Sequence, residues 1–133
     1  MSKVDREARK LLEPGERIVS QAMISGSRDQ RTDVPDCSLM GYLTDRRVMF
    51  LLNGRKAELY WWVGLSEIVR VHQDVQWQRG LVNKGKETFF VLQLRNGQQF
   101  VGAHIHAVDG PRRIKRFIAD LQASVGPVSP DRP

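Results

Sequence analysis

The fold is decided by residues 39–52, whose sequence is LMGYLTDRRVMFLL. Two apolar runs typical of β-strands flank the polar residues 44–46 in this stretch. Asn-Gly follows at 53–54 and precedes a third strand-like run at 57–62. Asn-Gly between two such runs is a strong signal for a tight β-hairpin, because both central residues of a type I′ turn need a positive φ. The stretch therefore predicts three consecutive antiparallel strands.

Strand-like patterns continue on both sides of this centre. A second Asn-Gly, at 96–97, joins residues 88–94 to residues 99–105. Between the two hairpins, residues 68–77 alternate, and one predicted face carries Val69, Val71, Val75 and Trp77. Near the N-terminus, residues 17–25 alternate, and one predicted face carries Ile18, Ala22 and Ile24. A period of two is that of a half-buried strand, so we expect about seven strands.

Helical patterns lie at the two ends of the chain. Residues 3–12 carry apolar side chains at helical spacing, and Pro14-Gly15 ends this helix. A second helix is predicted at 110–124, where Asp109-Gly110 can cap its start. It carries one apolar stripe, formed by Ile114, Phe117, Ile118 and Leu121. We expect an N-terminal helical extension at 1–12, one domain at 13–125 and a disordered tail at 126–133.

The order of these elements indicates a mainly β (α+β) fold. About seven short antiparallel strands would form a strongly bent sheet or a partly open barrel, whose open end needs a cover. A terminal helix with a single apolar stripe is suited to cover it. We therefore expect a roll capped by the C-terminal amphipathic helix, with a short helix at the N-terminus.

Three motifs resemble those of the bacterial pleckstrin-homology-like, GRAM-type domains. They are LLEPGERI at 11–18, GYLTDRRVMF at 41–50 and LSEIVRV at 65–71. The resemblance covers roughly residues 11–123, and its motifs are structural rather than catalytic. It implies a two-sheet roll capped by the terminal helix, in a family of binding or assembly modules.

Composition narrows the class of protein. The 133 residues include 21 Lys and Arg against 15 Asp and Glu, a net charge of +6, which favours anionic partners without identifying one. The single cysteine, Cys37, excludes an internal disulfide and suits a reducing compartment. The N-terminus lacks the apolar core of a secretory signal, and the longest apolar runs are too short to span a bilayer. We expect a cytoplasmic protein whose membrane contact, if any, is peripheral.

The sequence contains only partial matches to nucleotide-binding and metal-binding motifs. Residues 80–86 match the first seven positions of a P-loop, but Glu87 stands where Ser or Thr should hold Mg²⁺, and a strand follows where a helix is needed. His104 and His106 share a predicted strand face, but a zinc site would need a third ligand. Neither a Ser-His-Asp set nor a paired carboxylate stands out. We therefore expect no enzyme activity, no metal, no cofactor and no small-molecule substrate.

Basic and aromatic residues supply the candidate contacts. Anionic lipid or head-group contacts are predicted at Arg46, Arg47, Arg55, Lys56, Arg79, Lys84 and Lys86. Adjacent strand residues point to opposite faces, so one of Trp61 and Trp62 is expected to be exposed for protein contact. We favour protein binding or self-assembly; the alternative is peripheral binding to anionic lipid. Nucleic-acid binding has little support, because a basic groove with interleaved aromatics is missing from the sequence.

Overall fold

The computed structural model describes residues 2–26, 32–35, 37–77, 86–105 and 111–125. The described elements, in chain order, are α1 (Lys3–Leu11), β1 (Ile18–Ile24), β2 (Leu39–Thr44), β3 (Arg47–Leu52), β4 (Leu59–Gly64), a 3₁₀ turn (Leu65–Glu67), β5 (Ile68–Trp77), β6 (Lys86–Leu94), β7 (Gln99–Ile105) and α2 (Pro111–Val125). The predicted tail at 126–133 and residues 78–85 lie outside the described residues.

The strands form two antiparallel sheets. Sheet A has the order β1-β2-β3-β4, and sheet B has the order β5-β6-β7. A bridge between Ser25 and Ala103 joins the edge of β1 to the edge of β7, with N···O distances of 2.8 and 3.2 Å. This architecture confirms the predicted mainly β (α+β) fold with seven antiparallel strands, a short N-terminal helix and a C-terminal helix.

Helix α2 packs against both sheets. Its predicted stripe is fully buried, at Ile114, Phe117, Ile118 and Leu121. The helix contacts mainly β1 and β5, and Gln122 Nε2 donates a hydrogen bond of 3.2 Å to the Val71 carbonyl of β5. The stripe therefore completes the main core, which both sheets share.

Helix α1 covers the other face of sheet A. Val4 and Ala8 are buried in a second apolar cluster against Tyr42, Met49 and Leu51. The Tyr42 hydroxyl donates to the Asp5 carboxylate. Burial, together with this hydrogen bond, raises the pKa of Tyr42 well above its usual range. The helix is thus held to the sheet by apolar contact and by one partly buried polar pair.

Two bulges correct the predicted strand faces. The pairing of β1 with β2 shifts register between Ile18 and Ser20, so Ile18 packs in the α1 cluster while Ala22 and Ile24 pack in the main core. The pairing of β5 with β6 shifts between Ile68 and Arg70, which leaves Val69 exposed. Strict alternation was wrong at these positions because a bulge inserts one residue and reverses the faces on either side of it.

The two Asn-Gly turns also differ from the prediction. Gly54 has no positive φ, and residues 53–58 connect β3 to β4, so the predicted type I′ turn is wrong there. At the second turn Gly97 does have a positive φ, of 86°. Its amide bonds to the Leu94 carbonyl at 3.0 Å, and the Leu94 amide bonds to the Gln98 carbonyl at 2.8 Å. This is a three-residue hairpin loop in which glycine supplies the left-handed residue.

Candidate binding surfaces

The first two family-like motifs meet at the carboxylate of Glu16. Glu16 is buried and accepts hydrogen bonds from Thr44 Oγ1 at 2.6 Å and from Arg47 Nε and Nη2 at 2.9 and 3.0 Å. The Glu13 amide donates a further bond of 2.9 Å. Burial alone would raise the pKa of Glu16, but these hydrogen bonds and the charge of Arg47 lower it to about 2. The carboxylate is therefore a structural anchor between the entry to β1 and the β2–β3 turn.

The predicted cationic contacts do not form one cluster among the described residues. Arg46 binds Glu13 Oε2 at 3.1 Å, and the Arg47 guanidinium is held by Glu16. Arg55 and Lys56 are exposed beyond the opposite end of β3. Arg79 and Lys84 lie outside the described residues, and Lys86 is placed as the first residue of β6.

The two adjacent tryptophans point in opposite directions, as alternation predicts. Trp61 points inward and stacks on Phe100 of sheet B, with ring centroids 4.5 Å apart and ring planes 5° apart. Trp62 points outward and is 50% exposed. The Arg47 guanidinium carbon lies 5.2 Å from the centroid of the Trp62 ring, within cation–π range. The exposed tryptophan of the pair is therefore Trp62.

A bulge in β4 places the residues beside Trp62. Phe50 pairs with Trp61, but the next residue of β3, Leu51, pairs with Leu59. Tyr60 is consequently the extra residue, and its hydroxyl donates to the Asp33 carbonyl at 3.1 Å. Tyr60 was not among the predicted contact residues, because a bulge depends on the pairing of two strands and is not encoded in the pattern of either strand alone.

Asp33 in turn covers the outer edge of β7. Its amide donates to the Val101 carbonyl at 2.8 Å, and its carboxylate accepts from the Val101 amide at 2.7 Å. Beside this link, Tyr60 and Trp61 line a cavity of about 810 Å³ together with residues 94 and 97–100. Asp33, which lies between β1 and β2 in the chain, therefore connects the two sheets.

The outer edge of β4 lacks the features that protect other edge strands, whereas Asp33 covers the outer edge of β7. The sequence of β4, LYWWVG, contains neither a charged residue nor proline, which are the devices that usually protect an edge strand. The Leu65 amide, just after β4, bonds to the carbonyl of Arg46, just before β3, at 2.9 Å. Since bonding direction alternates along an antiparallel pair, the amides of Trp62 and Gly64 face away from β3. Leu59 and Trp62 are both exposed on the face that α1 covers further in. We call this edge with the side chains of Leu59 and Trp62 the β4 surface.

Within residues that the structure describes, no three His, Cys, Asp or Glu side chains are placed to hold a metal ion. Cys37 is a free, exposed thiol. His106 and residues 80–85 of the P-loop-like motif fall outside the described ranges, while Lys86–Leu94 form the predicted strand after that motif.

Neither a protein-family model nor a curated protein matches this chain. In the described ranges, no helix is both long enough and apolar enough to cross a membrane.

Proposed function

We propose that the chain is a non-catalytic, pleckstrin-homology-like interaction module that assembles with a second copy of itself through the β4 surface. The observation that carries the proposal is the 50% exposure of Trp62 on an edge strand without charge. Large exposed aromatic side chains are enriched at protein interfaces and contribute heavily to binding. Arg47, which is held by Glu16, lies 5.2 Å from the centroid of the Trp62 ring, and this cation–π contact favours the outward placement of the indole.

A second copy fits this surface by symmetry. Two β4 strands that pair antiparallel about a two-fold axis would satisfy the outward amides of Trp62 and Gly64 in both copies. The same arrangement would bring the Leu59 and Trp62 side chains of both copies together on one continuous face. Burial of this apolar surface would drive association independently of salt.

The experiment compares the mass in solution of two matched variants. Trp62→Glu places a charge in the β4 surface, whereas Val69→Glu places the same charge at an exposed valine of sheet B. Multi-angle light scattering should give wild type twice the 15.2 kDa of one chain. This mass should persist at about 1 M salt, where exposed charges are screened beyond roughly 3 Å. Trp62→Glu should be monomeric and Val69→Glu should remain dimeric. A monomeric wild type, or dimers of both variants, would contradict the proposal.

The anionic-lipid alternative uses the predicted basic loops. Of its residues, Arg46 and Arg47 are paired with glutamates and Arg55 and Lys56 are exposed, while Arg79, Lys84 and the side chain of Lys86 lie outside the described part of the chain. Sedimentation with vesicles of phosphatidylserine and phosphatidylcholine tests it directly. Salt-sensitive sedimentation of a monomeric wild type would favour this alternative over assembly, because attraction between exposed charges is screened.

A further inference from the structure

Arginines from both helices converge on a cleft away from the β4 surface. The cleft has a volume of about 700 Å³ and lies between α1, β1 and α2. Arg9 of α1 lines one side, and Arg113 and Arg116 of α2 line another. These side chains are remote in sequence, and only the packing of both helices around sheet A brings them to one place.

The positive charge in this cleft is poorly compensated. Across the described ranges, Arg9 and Arg113 have no carboxylate within ion-pair distance. Arg116 is 3.9 Å from Asp120 and its side chain is 85% exposed, so that pair is loose. The acidic residue that lines the cleft, Asp5, already accepts the Tyr42 hydroxyl. Three guanidinium groups that line one cleft, with Asp5 as the acidic residue of its lining, favour the binding of an anion.

The chemistry of the lining points to phosphate. Guanidinium groups present planar, paired donors that match phosphate oxygens, and three of them from two helices can engage different oxygens of one group. Their charge less that of Asp5 is about +2, which complements a phosphate dianion near neutral pH. Ser20 and Gln21 of β1 add neutral hydrogen-bonding groups to the lining.

The cleft has room for a ligand larger than inorganic phosphate. Its volume lies within the range of about 300–1,000 Å³ that is usual for small-molecule sites. The bulge in β1 turns Val19 outward, 56% exposed, so the cleft also has an apolar wall. We propose that the cleft binds a phosphate dianion attached to a larger group, either a free organic phosphate or a phosphomonoester lipid head group.

The test uses two double variants that change the same charge on the same helix. Arg113→Gln with Arg116→Gln removes two cleft arginines, whereas Arg112→Gln with Lys115→Gln removes two exposed cations outside the cleft lining. Titration calorimetry at low salt measures the affinity for pyrophosphate. Losing charge-assisted hydrogen bonds should weaken binding by about tenfold or more in the cleft variant. The control variant should bind within about twofold of wild type, because exposed charges away from the ligand are screened. Melting curves check that both variants fold.

A second arm distinguishes the two sources of phosphate. Vesicles that contain phosphatidic acid should retain the protein, and pyrophosphate should displace it, if the phosphate is on a lipid head group. Pyrophosphate binding without vesicle retention identifies a free organic phosphate. Equal weakening in both double variants, or retention that pyrophosphate does not displace, would overturn the proposal, as would a wild type that does not bind pyrophosphate. Trp62→Glu should leave pyrophosphate affinity unchanged, so this proposal and the assembly proposal fail independently.

Discussion

Replacing Glu16 with Gln tests how the buried ion pair stabilises the fold and how that contribution depends on pH. The pKa of Glu16 is about 2 in the folded protein, against an ordinary value of 4.5. The unfolded chain therefore binds more protons between these values, so the stabilisation is fully present above about pH 4.5 and is lost as the pH falls toward about 2. At about 1.4 kcal/mol for each tenfold change in proton affinity, the full contribution is on the order of 3 kcal/mol.

At neutral pH the variant also leaves Arg47 without its counterion. The Arg47 side chain is only 13% exposed. Removing one partner of such a pair usually costs about 3–5 kcal/mol, and we expect a loss in this range. Glu13→Gln is the matched control, since Glu13 makes an exposed pair with Arg46; it should cost less than about 1 kcal/mol.

The assay is urea unfolding of wild type and both variants, followed by tryptophan fluorescence from neutral to acid pH. The stability difference between wild type and Glu16→Gln should be largest near neutral pH and should narrow below about pH 4.5. The difference for Glu13→Gln should stay small throughout. A gap for Glu16→Gln that is equally wide at about pH 7 and pH 3 would refute the ionised, hydrogen-bonded state assigned to Glu16.

Three further stability predictions follow from the packing, each measured by thermal or urea unfolding. Leu121→Ala should destabilise the fold by about 2–5 kcal/mol, because the side chain is fully buried; an unchanged melting temperature would contradict the burial of the α2 stripe. Gly102→Ala should cost about 1–3 kcal/mol, since a Cβ would lie 2.4 Å from the Phe90 ring, while the control Gly54→Ala has open space and should be nearly neutral. Tyr42→Phe should cost about 1–3 kcal/mol, because it leaves an aspartate of α1 without its buried partner; equal stability would show that this bond is not needed to hold α1.

Local patterns predicted the described regular elements well. The α2 stripe and the bounds of β5 and β7 agree with the sequence, because helix and strand periods are properties of short segments. The predicted side-chain faces were wrong where the pairing of two strands introduces a bulge. Ile18 and Val69 were assigned to the wrong faces because bulges in β1 and β5 arise from pairing with a neighbouring strand.

The candidate contact residues were likewise predicted only in part, because some of them depend on contacts between distant segments. Alternation alone required Trp61 and Trp62 to face opposite sides, but the choice between them depended on Phe100, which arrives from the other sheet. The arginine cleft was not predicted, since Arg9 and Arg113 line the same cleft only when α1 and α2 pack beside β1. Arg47 was predicted to contact an anionic lipid or head group, whereas in the fold its guanidinium group is paired with Glu16.

By itself, then, the sequence determined the number and type of the described elements and the inward face of α2. Hydrophobic period, turn residues and capping residues act over a few positions, and their effect can be counted along the chain. The tertiary structure decided which edge remained open, which tryptophan was exposed and which arginines were neutralised. Those outcomes depend on contacts between distant residues, such as Glu16 with Arg47 and Asp33 with Val101. A single strand or helix does not specify such partners, because its pattern encodes only which side is buried.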